Sequence, residues 1–231
     1  MQQESKQKVF KMLCAAMTSC LVLFSFLGKA DPLVIIFDML LFGLLGWNIG
    51  SFIIELPKAK QSRSGLWKLF KKYTNLRIDR SLALLSALIT IPPTLLVWWY
   101  FGFQPPQLSL QVALFFFLVS VFFAPVYEEY IFRKLLLDDI LLRIFKELPP
   151  LHKHSWLARF WLAFVLLFQS IMFAYLHEDI NSWFAFWSRF AIGLLCGVLY
   201  IKSDRNLLAA ISAHATYNLM SSTAILLKIL V

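Results

Sequence analysis

Residues 110–137 read LQVALFFFLVSVFFAPVYEEYIFRKLLL. An apolar run passes without a break through Pro125 into two adjacent glutamates, an arginine and a lysine. A helix needs about 20 predominantly apolar residues to cross the hydrocarbon of a bilayer, and a soluble core helix rarely offers so many. Blocks of the same kind recur on either side, at about Val9–Leu27, Leu33–Leu56, Leu82–Phe103, Trp156–His177, Phe184–Ile201 and Leu207–Leu230. With the run that begins near Leu108, they predict an all-α polytopic bundle of about seven spans, six to eight, filling a single membrane domain over 1–231.

Composition agrees. Of the 231 residues, 60% are hydrophobic and 15% charged, against about half and about a quarter in a soluble domain. No soluble domain of useful size remains between the blocks, so the net charge of +9 does not point to nucleic acid, whose readers need a soluble scaffold. The basic residues lie in loops between spans, where they set topology and attract anionic lipid. Cys14, Cys20 and Cys196 sit in apolar runs and form neither a disulfide framework nor a metal pattern.

The loops orient the chain. Residues 57–80 carry Lys58, Lys60, Arg63, Lys68, Lys71, Lys72, Arg77 and Arg80 against Asp79 alone, which predicts a cytoplasmic loop. Alternation then puts the N-terminus, residues 138–160 and Lys202–Arg205 on the same side. The first run is read as a retained helix in preference to a signal peptide, although Gly28-Lys29-Ala30 has the small residues of a cleavage site. Around Leu66-Trp67 and Leu69-Phe70 the basic loop is either an amphipathic surface helix or a plain loop. Pro92-Pro93 should kink the third span.

Ionisable groups within a bilayer are costly and mark function. Glu129 and Arg133 are four apart, on one helical face, and should pair. Glu128 lies about 100° around the helix, without a local partner, and is the better candidate for a base. His214 and Asn218 are also four apart. An imidazole and an amide on one face can hold a developing oxyanion, and His177 could share the water that Glu128 activates. Each feature alone has a structural explanation: a buried ion pair, an interfacial histidine, an interhelical hydrogen bond. Their conjunction describes a water-activating site.

Glu128-Glu129-Tyr130-Ile131-Phe132-Arg133 (E-E-x-x-F-R), Phe173…His177 (F-x-x-x-H) and His214…Asn218 (H-x-x-x-N) together resemble the CPBP or Abi family of CAAX prenyl endopeptidases and bacteriocin-processing and immunity proteins. The resemblance covers roughly residues 111–225, the expected catalytic core, and every motif position is present. It implies an intramembrane peptidase acting on a peptide or protein substrate that reaches the membrane. Glu128 and His177 would activate water, His214 and Asn218 would stabilise the oxyanion, and Glu129 and Arg133 would support them, without a cofactor.

Three alternatives carry weight. Zinc held by His177, His214 and a glutamate would suit a His₂Glu site, although His177-Glu178 is followed by Asn181, not by the second histidine of H-E-x-x-H. A non-enzymatic scaffold or immunity protein could use the same fold. A transporter would want repeats or half-helices, and the sequence shows neither. One mismatch stands: counted from Trp156, His177 falls near the outer end of its helix, whereas Glu128 and His214 lie closer to the cytoplasmic side. A helix starting later, with 156–166 along the interface, would remove it, as would a different topology.

Overall fold

The computed structural model describes residues 7–8, 10–16, 32–59, 63–102, 107–147, 155–177 and 183–230. Residues 17–27 of the first expected span, the possible cleavage site at 28–30, Cys20, most of the 147–155 loop, and Glu178 and Asp179 lie outside them. The described residues are helical and contain no strand. The chain separates into two compact units, Met1–Leu76 and Arg77–Val231.

In the first unit, residues 10–16 are helical and precede α1 (Pro32–Ala59) and α2 (Arg63–Thr74). The basic loop is thus largely helix. α2 buries Leu69, stacks Trp67 on Phe70 with ring centroids 5.6 Å apart, and places Lys71 and Lys72 in its last turn, where ammonium groups complement the helix dipole.

The second unit contains α3 (Arg80–Phe101), a long composite helix from Leu110 to Glu147, α7 (Ser155–Tyr175), α8 (Trp183–Lys202) and α9 (Leu207–Leu230). The composite helix comprises α4 (Leu110–Leu118), a π-helical turn (Val119–Phe123), α5 (Ala124–Glu129), a second π segment (Tyr130–Leu141) and α6 (Leu142–Glu147). The first π turn comes just before Pro125, which has no N–H to donate. The widened turn, with Ala124 N–H reaching back to Val119 O, absorbs that loss. In the second, residues five apart align, and Lys134 Nζ meets Asp139 Oδ1 as well as Asp138 Oδ2 at 3.8 Å. α3 runs through Pro92 and Pro93 as one helix. Thr90 and Thr94 hydroxyls donate to the carbonyls of Ser86 and Thr90, each at 2.8 Å.

Four described helices are long and apolar enough to cross a membrane: Arg80–Tyr100, Leu110–Ile144, Trp156–Tyr175 and Trp183–Lys202. α9, at 24 residues, is long enough but not among them; its middle carries Ser212, His214, Thr216 and Asn218. α9 packs on α3, α4, both π segments, α5 and α8, the position expected of a helix with a polar middle. Trp99 and Tyr100 on α3, and Phe115 and Phe123 near the start of the composite helix, face outward, as a lipid-facing surface requires.

Leu110–Ile144 has 35 residues, roughly 50 Å of helix against a hydrocarbon layer of about 30 Å. A band of charge surrounds its C-terminal part. Asp138 meets Arg205 at 2.7 Å, and nearby Arg77 meets Asp204 at 3.0 Å. Asn206 joins the band to the start of α3 by accepting from Arg77 N–H and donating to Arg77 O, both at 3.0 Å.

Candidate active site

Glu129 is fully buried at the end of α5, and Arg133 fully buried one turn on. Arg133 Nε lies 2.8 Å from Glu129 Oε2, the i,i+4 pair that the spacing predicts. This is a close approach of charges off the hydrogen-bond axis; the better-aligned contact is Arg133 Nη2 to Glu129 Oε1 at 3.4 Å. The guanidinium also donates to the Gly193 carbonyl on α8 at 3.0 Å and to Gln169 Oε1 on α7. Phe173 covers it, with Arg133 Cζ 5.5 Å from the ring centroid. A buried guanidinium needs its donors occupied, and three helices supply the acceptors.

Gln169 is the residue that sequence reasoning missed. It is fully buried, and its amide nitrogen donates to Gly193 O at 3.2 Å, Ser170 Oγ at 2.7 Å and Leu166 O at 3.0 Å. The missed signal was Gly193-x-x-x-Gly197, a small-residue pair that lets helices approach closely. A Cβ at Gly193 would lie 3.2 Å from Phe173, and one at Gly197 would lie 2.8 Å from Gln169 Nε2. α7 and α8 pack closely here because glycine leaves room.

Glu128 turns away from the ion pair, as the 100° offset predicts. Its Oε2 lies 3.4 Å from His177 Nε2 and 3.8 Å from His214 Nε2, and it makes no aligned hydrogen bond among the described residues. The Glu128 side chain is 22% exposed and His177 27%, against 4% for His214. Both rings are oriented from behind. His177 Nδ1 lies 2.6 Å from Phe173 O; a carbonyl only accepts, so Nδ1 carries the proton. His214 Nδ1 lies 2.9 Å from Glu129 Oε1 and donates to that carboxylate. Phe173 packs between the rings, its centroid 4.6 Å from His177 and 5.4 Å from His214.

Asn218, one turn beyond His214, donates from Nδ2 to the Ser120 carbonyl in the first π turn at 2.7 Å. Ser120 Oγ and Ser222 Oγ, 3.1 Å apart, reinforce that junction. The structure therefore brings Glu128, His177 and His214 together and seats Asn218 on the backbone of the composite helix.

His177 meets Glu128 without a late start to α7, which is helical from Ser155. Trp161 Nε1 donates to Leu141 O at 3.2 Å, so the second turn of α7 lies level with the end of the second π segment, past Asp138 in the chain. Asp138 is roughly 15 Å along the helix from Glu128, and Arg205 roughly 13 Å from His214. The two counts agree, and the extra length of α7 lies beyond the charged band.

Residues 110–220 match the family model described as type II CAAX prenyl endopeptidase Rce1-like. No curated protein and no solved structure matches the chain. The matched segment holds the composite helix, α7, α8 and the part of α9 bearing His214 and Asn218. Over residues 110–220, just under half of its length, this integral membrane chain is similar to the Rce1-like type II CAAX prenyl endopeptidase family.

Proposed function

We propose that the chain is an intramembrane endopeptidase in which Glu128 acts as general base. The observation that carries this reading is the Glu128 carboxylate oxygen facing the Nε2 atoms of His177 and His214 at 3.4 and 3.8 Å. With its proton on Nδ1, the neutral His177 ring offers a lone pair at Nε2. Glu128 Oε2 and His177 Nε2 are then two acceptors side by side, able to take both hydrogens of one water. As the water oxygen attacks a peptide carbonyl, Glu128 accepts its proton and passes it to the leaving amine.

The carbonyl oxygen gains the charge. Asn218 has a second amide hydrogen beyond the one given to Ser120, and His214, if protonated at both nitrogens, would donate at Nε2 while Nδ1 stays on Glu129. These two would hold the oxyanion. Glu129, Arg133 and Gln169 keep His214 in place. The substrate is a peptide segment that reaches the membrane. The catalytic core is 111–225, the bundle crosses the bilayer about seven times, and the N-terminus and charged band lie on the cytoplasmic side, as the basic loops suggest.

The test is cleavage by the purified full chain of a peptide ending in a prenylated cysteine motif, with unprenylated and internal transmembrane peptides alongside. Glu128→Gln should abolish cleavage while thermal unfolding stays that of the wild type. Full activity in Glu128→Gln would remove this residue from the chemistry.

A second reading places zinc among the same side chains. Two histidines and a glutamate are a zinc donor set, although among the described residues no three His, Cys, Asp or Glu side chains are grouped as a metal site would need. Neither Glu129 nor Arg133 would contact such an ion, whereas the metal-free reading uses both.

A further inference from the structure

α8 and α9 are joined by Ser203-Asp204-Arg205-Asn206, a tight reversal without a glycine. Two of its residues lie in the left-handed region, Asp204 at φ 55° and Arg205 at φ 59°. Glycine takes that conformation freely, whereas a residue with a Cβ is strained there. The Arg205 N–H closes α8 by donating to Tyr200 O at 2.8 Å, a helix-ending bond that usually comes with glycine. An arginine standing where glycine fits most easily points to its side chain as the reason.

That side chain reaches Asp138 in the second π segment. Arg205 Nη1 lies 2.7 Å from Asp138 Oδ1, and the Asp138 side chain is only 9% exposed. Tyr200 OH at 3.5 Å and Lys134 Nζ at 3.8 Å are longer contacts of the same carboxylate. A nearly buried carboxylate depends on its partner. The Arg77–Asp204 pair of the same turn lies open to water, where ion pairs contribute little. Arg77 instead restrains the backbone of the turn, donating to Ser203 O at 3.0 Å and Asp204 O at 2.5 Å. Asn206 caps α9 by accepting from Leu208 N–H at 3.2 Å.

The composite helix and the α9 segment therefore meet at two levels. Glu129 Oε1 accepts from His214 Nδ1 at 2.9 Å. Asp138, nine residues after Glu129, meets Arg205, nine residues before His214. A slip of one residue would move α9 by about 1.5 Å and turn it by about 100°, taking His214 Nε2 and Asn218 out of line with Glu128. We propose that Asp138 and Arg205 are a positioning pair for the peptidase site, setting the register at which His214 and Asn218 face Glu128. The strained turn holds Arg205 in reach. The kinetic part of the proposal rests on the peptidase reading; the register does not.

The experiment reads the register without needing activity. The full chain, purified in detergent with ¹⁵N-labelled histidine, is followed by nuclear magnetic resonance of the ring nitrogens, the His214 signal being assigned with H214Q. R205Q and D138N should shift that signal, because the Nδ1–H bond to Glu129 changes, and R205K should keep it near its wild-type place. R77Q loosens the turn without reaching the composite helix, so it should lower the unfolding temperature and leave the His214 signal unmoved. On a peptide that the wild type cleaves, R205Q and D138N should lower kcat by roughly tenfold to a hundredfold with KM little changed. R205K should recover most of that loss, and R77Q should keep the wild-type kcat. An unmoved His214 signal in both R205Q and D138N would overturn the proposal, as would a shifted signal with wild-type kcat. The same shift in R77Q would make turn stability the cause and overturn it too. Failure of both R205Q and D138N to fold, with R77Q folding, would make the pair structural only. A shifted His214 signal in a chain that cleaves no peptide would uphold the register and remove the peptidase reading.

Discussion

Glu129 Oε1 accepts from His214 Nδ1 at 2.9 Å while Oε2 of the same carboxylate faces Arg133 Nε at 2.8 Å. One fully buried carboxylate therefore joins α9 to the guanidinium that α7 and α8 hold. Glu128, one residue earlier, faces the other nitrogen of the His214 ring at 3.8 Å, so the proposed tasks of the two adjacent glutamates can be tested separately.

Replacing Glu129 should chiefly harm the fold. Breaking one partner of a buried ion pair typically costs about 3–5 kcal/mol. Glu129→Gln is expected to lower the unfolding temperature in detergent and the yield of folded protein, with Arg133→Met doing the same. Normal yield and stability in Glu129→Gln, with hydrolysis as dead as in Glu128→Gln, would show that the two carboxylates share the chemistry.

Asn218→Ala should be slow but measurable. Losing one oxyanion donor typically costs about 10²–10³ in rate. The Ser120 carbonyl also loses its amide partner, so some loss of stability should accompany the rate effect. A fall in kcat with KM little changed is the expected pattern. A change confined to KM would assign Asn218 to substrate binding.

Activity should survive removal of metal. The chain would be stripped with a strong chelator, checked by elemental analysis for residual zinc, and assayed again. Unchanged cleavage supports Glu128 and His177 as the whole water-activating apparatus. Activity lost on stripping and restored by zinc would favour the zinc reading while keeping the peptidase assignment.

Gly197→Ala should destabilise the second unit without touching the reacting groups. The new methyl would sit 2.8 Å from Gln169 Nε2 and 2.9 Å from Leu166, and overpacking of this kind typically costs about 1–3 kcal/mol. Gln169→Leu removes the crowded amide but leaves an Arg133 donor unpaired, so it should also destabilise. Thermal unfolding of both variants checks this; wild-type stability in Gly197→Ala would mean that α7 and α8 separate easily.

What could be read from the sequence was what recurs with a period. Apolar blocks gave the helices, and four-residue spacing gave the Glu129–Arg133 pair and set Glu128 apart. The order of the three motifs anticipated the meeting of Glu128, His177 and His214. Gln169 was not legible because a single amide in an apolar run has no pattern, and its partner at Gly193 is a backbone carbonyl that every residue possesses. The same holds for Asn218, whose acceptor is the Ser120 main chain. The level of His177 stayed open in the sequence because hydropathy does not show how neighbouring helices are staggered; the contact from Trp161 to Leu141 shows that stagger.

Arg133 also constrains the order of events during synthesis. Its partners Gln169 and Gly193 lie 36 and 60 residues downstream, a delay of about 2 to 12 s at ordinary ribosome speed. Until then the ion-pair partner within reach on its own helix is Glu129, one turn away. The pair travels as a dipole with no net charge, which lowers the cost of waiting in lipid. On that order of synthesis α7 and α8 would dock onto a guanidinium already in place, and the buried arginine would be an assembly point before the site it supports exists.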